Sequence, residues 1–459
     1  MLVGFSVKNY KSFKEEQRIS FEASKIIRHS NHVVSFDGKR ILKSGLIFGA
    51  NASGKSNLIS AIGFSRDIVL NGLDKVDIGK CHFRIDKGMY REPAVFEYRI
   101  RIEQSEYSYG VVIDYPDKII LSEWLAELKD KGGETYIFNR EVNDGISSVE
   151  SEAEFTGLEE KHKMDFFLEG FGKNITDSYK RKTILNDIAL RVNETEGVFG
   201  KIKSIYEWFA GILIIYPDSK YNGLNEIASD ENSKIFFSNA MSYFDTGIES
   251  IENGIKQMDF DKVLEDLPRE ETEKIKVAIS NVAATHPVTY KVNNQVFILR
   301  KDDNGNIVYN KLLLNHGNMD DLFDYSDESD GTKRLFDLLP LLYAKDSVKV
   351  ILIDEIDRSL HTKLTRRFLE SFYEYLESKH CQLIATTHDS NLLDLDLLRQ
   401  DDIWFVEREE DSSSKIYSLN KFKERFDKKI DKEYLLGRYG AIPVFDDKFK
   451  PKHMFEWEI

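Results

Sequence analysis

Between the apolar run Leu46-Ile47-Phe48 and the apolar pair Leu58-Ile59 the chain places GANASGKS, Gly49 to Ser56. No other stretch restricts the fold as strongly. Its small residues, glycines and final Lys-Ser match G-x-x-x-x-G-K-[ST], a pattern whose physical sense is a cradle for phosphate. Gly49 and Gly54 let the backbone wrap anionic oxygens closely. The amides of Ala50, Asn51, Ala52 and Ser53, with those that follow as far as Asn57, act as inward-pointing donors. Lys55 is placed to reach terminal phosphates and the Ser56 hydroxyl to ligate Mg²⁺. A helix opening near Lys55 would aim its positive end at the same charge. The context fits: an apolar strand precedes the loop, and Leu58, Ile62 and Val69 follow on one helical face.

A second half lies far along the chain. VKVILIDEID, Val348 to Asp357, reads as a buried parallel strand ending in carboxylates. Ligands of open α/β sheets sit at the carboxyl ends of strands, so Asp354 is placed to hold Mg²⁺. Glu355, one residue on, is placed to take a proton from an attacking water. Leu360, Leu364, Phe368, Phe372 and Leu376 recur every fourth residue, which predicts a helix with one buried stripe. A strand over Gln382 to Thr386 follows, and then His388, one strand beyond the acidic pair, where it can sense a terminal phosphate or position the water. Upstream, DESDGTKRLFDLLPLL, Asp327 to Leu342, predicts a turn capped by Ser329 and a helix kinked by Pro340. Gly331 there permits a close backbone approach.

Composition narrows the class. The 459 residues suggest two or three domains, and 41% hydrophobic content suffices for a large core. The net charge of −15 argues against bulk attraction to nucleic acid, though not against a local basic patch. Two cysteines, Cys81 and Cys381, lie far apart in no ligand spacing, which suits buried small hydrophobes in a reducing cytosol. Lysines at 8, 11 and 14 interrupt any apolar run at the start, so no secretory leader is expected. IYEWFAGILIIYP, Ile205 to Pro217, is too short to span a membrane and predicts a buried helix or strand.

The order of these motifs resembles ABC-class ATPases of the SMC and RecF type. It looks closest to bacterial antiphage-defence ATPases such as the OLD nuclease ATPase domain, RloA-like proteins and the AriA component of the PARIS system. The resemblance rests on FSVKNYKSF (Phe5 to Phe13), GANASGKS, ESDGTKRL (Glu328 to Leu335), ILIDEID, RSLH (Arg358 to His361), TTHD (Thr386 to Asp389) and the tail YLLGRYGAIP (Tyr434 to Pro443). It covers roughly 1–130 and 320–445. It implies an α/β fold, a P-loop NTPase head of ABC type with an antiparallel β subdomain and a largely helical insertion. It makes Lys55 and Ser56 part of Walker A, Asp354 part of Walker B, Glu355 the general base and His388 the switch histidine. Ser329, Gly331 and Thr332 stand at the signature motif, and Ser359 to His361 at the D-loop. In such families two ATPs are held between two heads, which implies a homodimer or a higher homo-oligomer. Glu328 and Asp330 depart from the transporter form of the signature, and CHFRIDKG, Cys81 to Gly88, offers no glutamine where a Q-loop is expected.

These expectations divide the chain into an N-terminal lobe over 1–130, an insertion over 131–318 that carries a partner surface, and a C-terminal lobe with its tail over 319–459. Strands are expected in Ala94 to Leu128, a strand pair near Val288 to Arg300, and a hairpin around Asp302 to Gly305. No heptads persist, so no long coiled coil is expected. KFKERFDKKIDKEY, Lys421 to Tyr434, reads as a solvated helix face. The function implied is a cytoplasmic, Mg²⁺-dependent ATPase acting as sensor or scaffold in antiphage defence. Its partners would be a separately encoded effector nuclease or toxin and a phage-derived trigger protein. The alternative is a DNA-repair ATPase of RecF or SMC type, which needs a basic channel that the net charge disfavours.

Overall fold

The apolar run before the phosphate loop forms strand β5 (Ser44–Phe48), with all five residues buried. It is buried because parallel strands flank it: β18 (Gln382–Thr386) on one side and β19 (Ile403–Arg408) on the other. β17 (Val350–Ile353) joins β18 in parallel. β11 (Ile212–Ile215) and β20 (Ser414–Ser418) complete a six-stranded sheet in the order β11-β17-β18-β5-β19-β20. Parallel strands covered on both faces need unbroken apolar runs, and Val350-Ile351-Leu352-Ile353 supplies one. The computed structural model describes residues 1–36, 38–129, 132–143, 145–173, 175–217, 231–254, 269, 272–273, 288–292, 295–301, 307–342, 347–375, 380–426 and 428–443.

A second sheet is antiparallel and seven-stranded, in the order β10-β9-β8-β7-β6-β1-β2. Its strands are β1 (Leu2–Lys8), β2 (Gln17–Ser20), β6 (Ala94–Ile102), β7 (Ser105–Asp114), β8 (Ile119–Leu128), β9 (Glu134–Asn143) and β10 (Ile146–Glu150). The meander read from 94–128 is present, but the sheet does not stop there. The division expected after residue 130 falls in the turn between β8 and β9, where Lys129 N–H donates to the Gly133 carbonyl at 3.0 Å. β9 then pairs with β8, Ser122 opposite Glu141. A small hairpin, β3 (Val33–Phe36) with β4 (Lys39–Leu42), precedes β5.

Helix α1 (Lys55–Asn71) follows the phosphate loop and lies against the antiparallel sheet. Tyr98 of β6 donates its hydroxyl to the Ile62 carbonyl at 3.0 Å and sits 2.6 Å from Ser65 Oγ. The apolar stretch near Ile205 serves as both helix and strand. α2 (Leu158–Glu169) and α3 (Ile184–Ala189) precede α4 (Gly197–Ala210), which ends at Gly211, and β11 begins at once. Among the described residues no helix is long and apolar enough to cross a membrane.

The chain divides into two compact units. The first holds both sheets and comprises Met1–Ile214, Asp346–Ile356 and Lys379–Ile459. The second comprises Ile215–Lys345 and Asp357–Ser378. In it, α5 (Glu231–Tyr243) accompanies a sheet of β12 (Ser250–Gly254), β15 (Ile307–Asn315), β14 (Gln295–Lys301) and β13 (Val288–Val292), with β16 (Phe323–Asp324) pairing β15. The strand pair and hairpin expected from 288 onward are present, and the Asp302 to Gly305 turn lies outside the described residues.

Two helices complete the second unit, α6 (Asp330–Leu342) and α7 (Thr362–Tyr375). α6 runs on through Pro340, which is buried. In α7 the buried face differs from the every-fourth-residue stripe. Thr365, Phe368, Leu369, Phe372 and Tyr373 are buried, Leu360 and Leu364 are half-buried, and Leu376 lies outside the described residues. A strict four-residue step drifts about 40° per repeat around a 3.6-residue helix, so such a stripe cannot stay on one face. The basic run after Lys421 is not one helix. Lys421 and Phe422 close a 3-10 turn, Lys423 adopts a left-handed conformation, and among the described residues of the run the α-helical part is α8 (Ile430–Leu435).

Candidate active site

The loop from Gly49 to Ser56 leaves β5 and enters α1 as the sequence pattern requires. Gly54 is the N-cap of α1 with φ +109°, no side chain caps the helix, and its first turn holds no acidic residue. The first-turn amides are therefore open toward the loop, as an anion site needs. A Cβ at Gly54 would collide with Ser414 Oγ and Ser12 Oγ. These hydroxyls brace the loop from behind. Ser414 Oγ donates to the Ser53 carbonyl at 2.6 Å and lies 2.8 Å from Ser12 Oγ, which accepts from Asn57 Nδ2 at 2.8 Å. Ala52 takes φ +61° at the loop tip, where Asn51 and Ala52 are exposed.

Lys55 is only 4% exposed. Its ammonium donates to the carbonyls of Gly49 at 2.7 Å and Ala50 at 3.0 Å, and sits 3.4 Å from His388 Nδ1. Ser56 Oγ donates to Asp354 Oδ1 at 3.0 Å. The same oxygen accepts from Thr386 Oγ1 at 2.6 Å, and Thr386 Oγ1 in turn accepts from the Glu355 amide at 2.8 Å. Thr386 thus holds both acidic residues by one hydroxyl. Glu355 has φ +54°, a costly conformation for a residue with a Cβ. Its Oε1 lies 3.8 Å from His388 Nε2. The first unit therefore brings together Gly49 to Asn57, Asp354, Glu355 and His388, although about 300 residues separate Ser56 from Asp354.

Two observations bear on which ligands fit. The Ser53 hydroxyl is buried and has no hydrogen-bond partner among the described residues, as expected of a loop completed by a bound anion. Asp354 is buried and spends one oxygen on Ser56 and Thr386, and its second oxygen has no partner among the described residues. A hydroxyl beside a carboxylate with an open oxygen suits a hard divalent cation such as Mg²⁺.

Ser329, Gly331 and Thr332 belong to the second unit. Ser329 caps α6 as expected: its Oγ accepts the Thr332 amide at 3.1 Å and lies 2.9 Å from Thr332 Oγ1. A Cβ on Gly331 would stand 2.9 Å from the Ser359 carbonyl, so glycine lets the start of α6 press on the Arg358-Ser359-Leu360 turn. Glu328 is buried and accepts from His316 Nε2 at 2.7 Å, while Asp330 is exposed. Sequence reasoning missed Ser12, Ser414 and the bracing role of Thr386. The first two carry no motif, and Thr386 closes a strand like any other threonine.

A family model described as "AAA domain, putative AbiEii toxin, Type IV TA system" matches residues 46–394. The chain belongs to this family. The AAA-domain match begins within β5 and ends beyond His388, so it encloses the phosphate loop, the acidic pair and the histidine. As an AAA-domain protein of this architecture, the chain is a P-loop ATPase with an ABC-type α/β fold and an antiparallel sheet. No curated protein matches it. Among solved structures, it is similar to an SMC head domain from Thermotoga maritima at 16% identity and TM-score 0.35, over 91% of this chain and 98% of that one. It is also similar to an SmcHead bound to the C-winged helix domain of ScpA, at 16% identity and TM-score 0.40, over 92% and 99%. A third is an Smc head domain with an extended coiled coil bound to the C-terminal domain of ScpA derived from Pyrococcus furiosus, at 14% identity and TM-score 0.38, over 95% and 99%.

Proposed function

We propose that this cytosolic protein hydrolyses ATP with Mg²⁺ at the Lys55–Asp354–Glu355–His388 site, and that paired heads turn the cycle into conformational work in antiphage defence. The observation that carries the reading is the contact of Ser56 with Asp354 through an oxygen that Thr386 also holds. Ser56 Oγ and Asp354 would hold the metal, which when bound offsets charge on the phosphate oxygens. The Gly49–Asn57 amides would cradle the phosphates. Lys55, now on two loop carbonyls, would exchange them for phosphate oxygens. Glu355 would accept the proton of the attacking water, and His388 would orient that carboxylate and meet the terminal phosphate.

In this reading Ser329, Gly331 and Thr332 face the partner head's nucleotide, so ATP closes a homodimer or higher homo-oligomer and hydrolysis opens it. Glu328 has one carboxylate oxygen engaged by His316, which would lessen its repulsion of a nucleotide there, while the exposed Asp330 would have to point elsewhere. The family description names a toxin of a toxin–antitoxin system, which supports a defence context. The kinship with RloA-like proteins and AriA, the separately encoded effector nuclease or toxin and the phage-derived trigger belong to this proposal. So does a partner surface within 131–318.

Two measurements test it. ATP turnover by the purified protein should need Mg²⁺ and collapse on Glu355→Gln while ATP binding persists. Co-expression with the neighbouring genes should yield a complex that restricts phage only with Lys55 intact. Turnover unchanged by Glu355→Gln would remove Glu355 as base. Salt-sensitive binding to duplex DNA without phage restriction would favour the repair reading instead.

A further inference from the structure

A cavity of about 450 Å³ opens in the first unit where β6 to β9 meet α4, lined among others by Arg101, Gln104, Lys129, Thr135, Glu154 and Lys201. Its size falls within the range of small-molecule sites. It shares no residue with the nucleotide site and stands independently of that reading.

Arg101 marks it out. The residue is 4% exposed, yet no carboxylate pairs with it among the described residues. Its Nε donates to the Glu103 carbonyl at 3.1 Å, Nη2 reaches Gln104 Oε1 only at 3.5 Å, and the guanidinium lies 5.7 Å from the Phe36 ring centroid. Neither Nη1 hydrogen has an acceptor among the described residues. The other deeply buried arginines of the unit are treated differently. Arg399 grips Asp401 through two bonds of 2.8 Å, and Arg140 faces Glu123 at 3.7 Å. Burying a cation without a counter-charge is costly, so an unpaired guanidinium beside a cavity points to an anion from outside the chain. The rest of the lining agrees. Lys201 is already matched by Glu127 at 2.7 Å, whereas among the described residues the Lys129 ammonium makes no ion pair, only a longer-range attraction to Glu127, and the Thr135 hydroxyl makes no hydrogen bond.

We propose that this cavity binds a small molecule through its oxyanion, a carboxylate or phosphate gripped by Arg101 and met at the rim by Lys129 and Thr135. A guanidinium fork matches the paired oxygens of either group. Glu154 at the rim favours a ligand that also carries a donor, a hydroxyl or an ammonium, away from its anionic end.

The test uses the full chain carrying Lys55→Ala, so that the phosphate loop does not report. Inorganic phosphate and citrate are titrated separately by calorimetry, with sodium chloride at matched ionic strength as control. At least one anion should bind above the chloride control, and Arg101→Gln should weaken it tenfold or more. Phosphate alone or citrate alone identifies the anionic group. Should Arg101→Gln fail to fold, Lys129→Ala and Thr135→Val serve in its place, each weakening binding threefold or more with the ligand-free melting temperature unchanged. Absence of binding above chloride overturns the proposal, as does equal binding by the parent and the cavity variants.

Discussion

Two helices in this protein begin with a small residue and a hydroxyl, and they end their first turns in opposite states. α1 starts at Gly54, with no side-chain cap and no acidic residue in its own first turn. α6 starts at Ser329, whose own Oγ takes up the Thr332 amide, and carries Asp330 in its first turn. The first end has no side-chain cap, and beside it the buried Ser53 hydroxyl has no hydrogen-bond partner among the described residues, as the proposed phosphate site requires. The second is satisfied by itself, and any ligand there must compete with the cap. The contrast agrees with the proposed phosphate site at the α1 end and makes a ligand role for α6 the part most open to test.

The largest effect should come from the acidic residue that the α1 end faces. Glu355→Gln should cut turnover by about 10²–10⁴-fold, the usual worth of a general base, with ATP binding within a few-fold of the parent. A fall in affinity equal to the fall in rate would place Glu355 in binding instead. Next in size is Gly54→Ala. Left-handed backbone and the collision with Ser12 and Ser414 should destabilise the fold by about 1–3 kcal/mol and abolish ATP retention, measured by denaturant melts and by filter binding. Retained ATP binding would show that the loop does not need its brace.

Thr386→Val should cost about 1–3 kcal/mol, because the Glu355 amide and an Asp354 oxygen lose a partner in a buried setting. Mg²⁺-dependent turnover should fall at least tenfold with it, while Thr386→Ser restores most of both. The smallest effect sharpens the comparison most. Ser329→Ala should cost about 1 kcal/mol as a lost cap and leave single-head ATP binding unchanged. If α6 is only a capped helix, turnover per folded molecule also stays level. A tenfold loss of turnover would show that Ser329 meets a nucleotide across paired heads.

The α1 end was legible because its signal is local: an apolar strand, small residues and a helical pattern within one short window. The strand ending at Asp354 was legible for the same reason, since a doubly covered parallel strand has to be apolar throughout. The braces were not legible. Ser12 and Ser414 meet across the length of the chain, and a lone serine gives no hint of its partner. The polar, glycine-rich sequence around residue 130 reads as a domain boundary, yet Lys129 bonds Gly133 and the flanking strands pair with each other in one sheet. In α7 the repeat of large apolar residues misled because its period was four, and the buried face follows the helix geometry instead.

The bond from Ser414 to the Ser53 carbonyl sets a timetable for the ribosome. At about 5–20 residues per second, the nascent chain exposes the phosphate loop roughly 20–70 s before its brace emerges. During that interval β5 lacks its parallel neighbours β18 and β19, since both are encoded later. If the loop needs that brace, a chain cut short before Ser414 should carry the motif intact and fail to retain ATP.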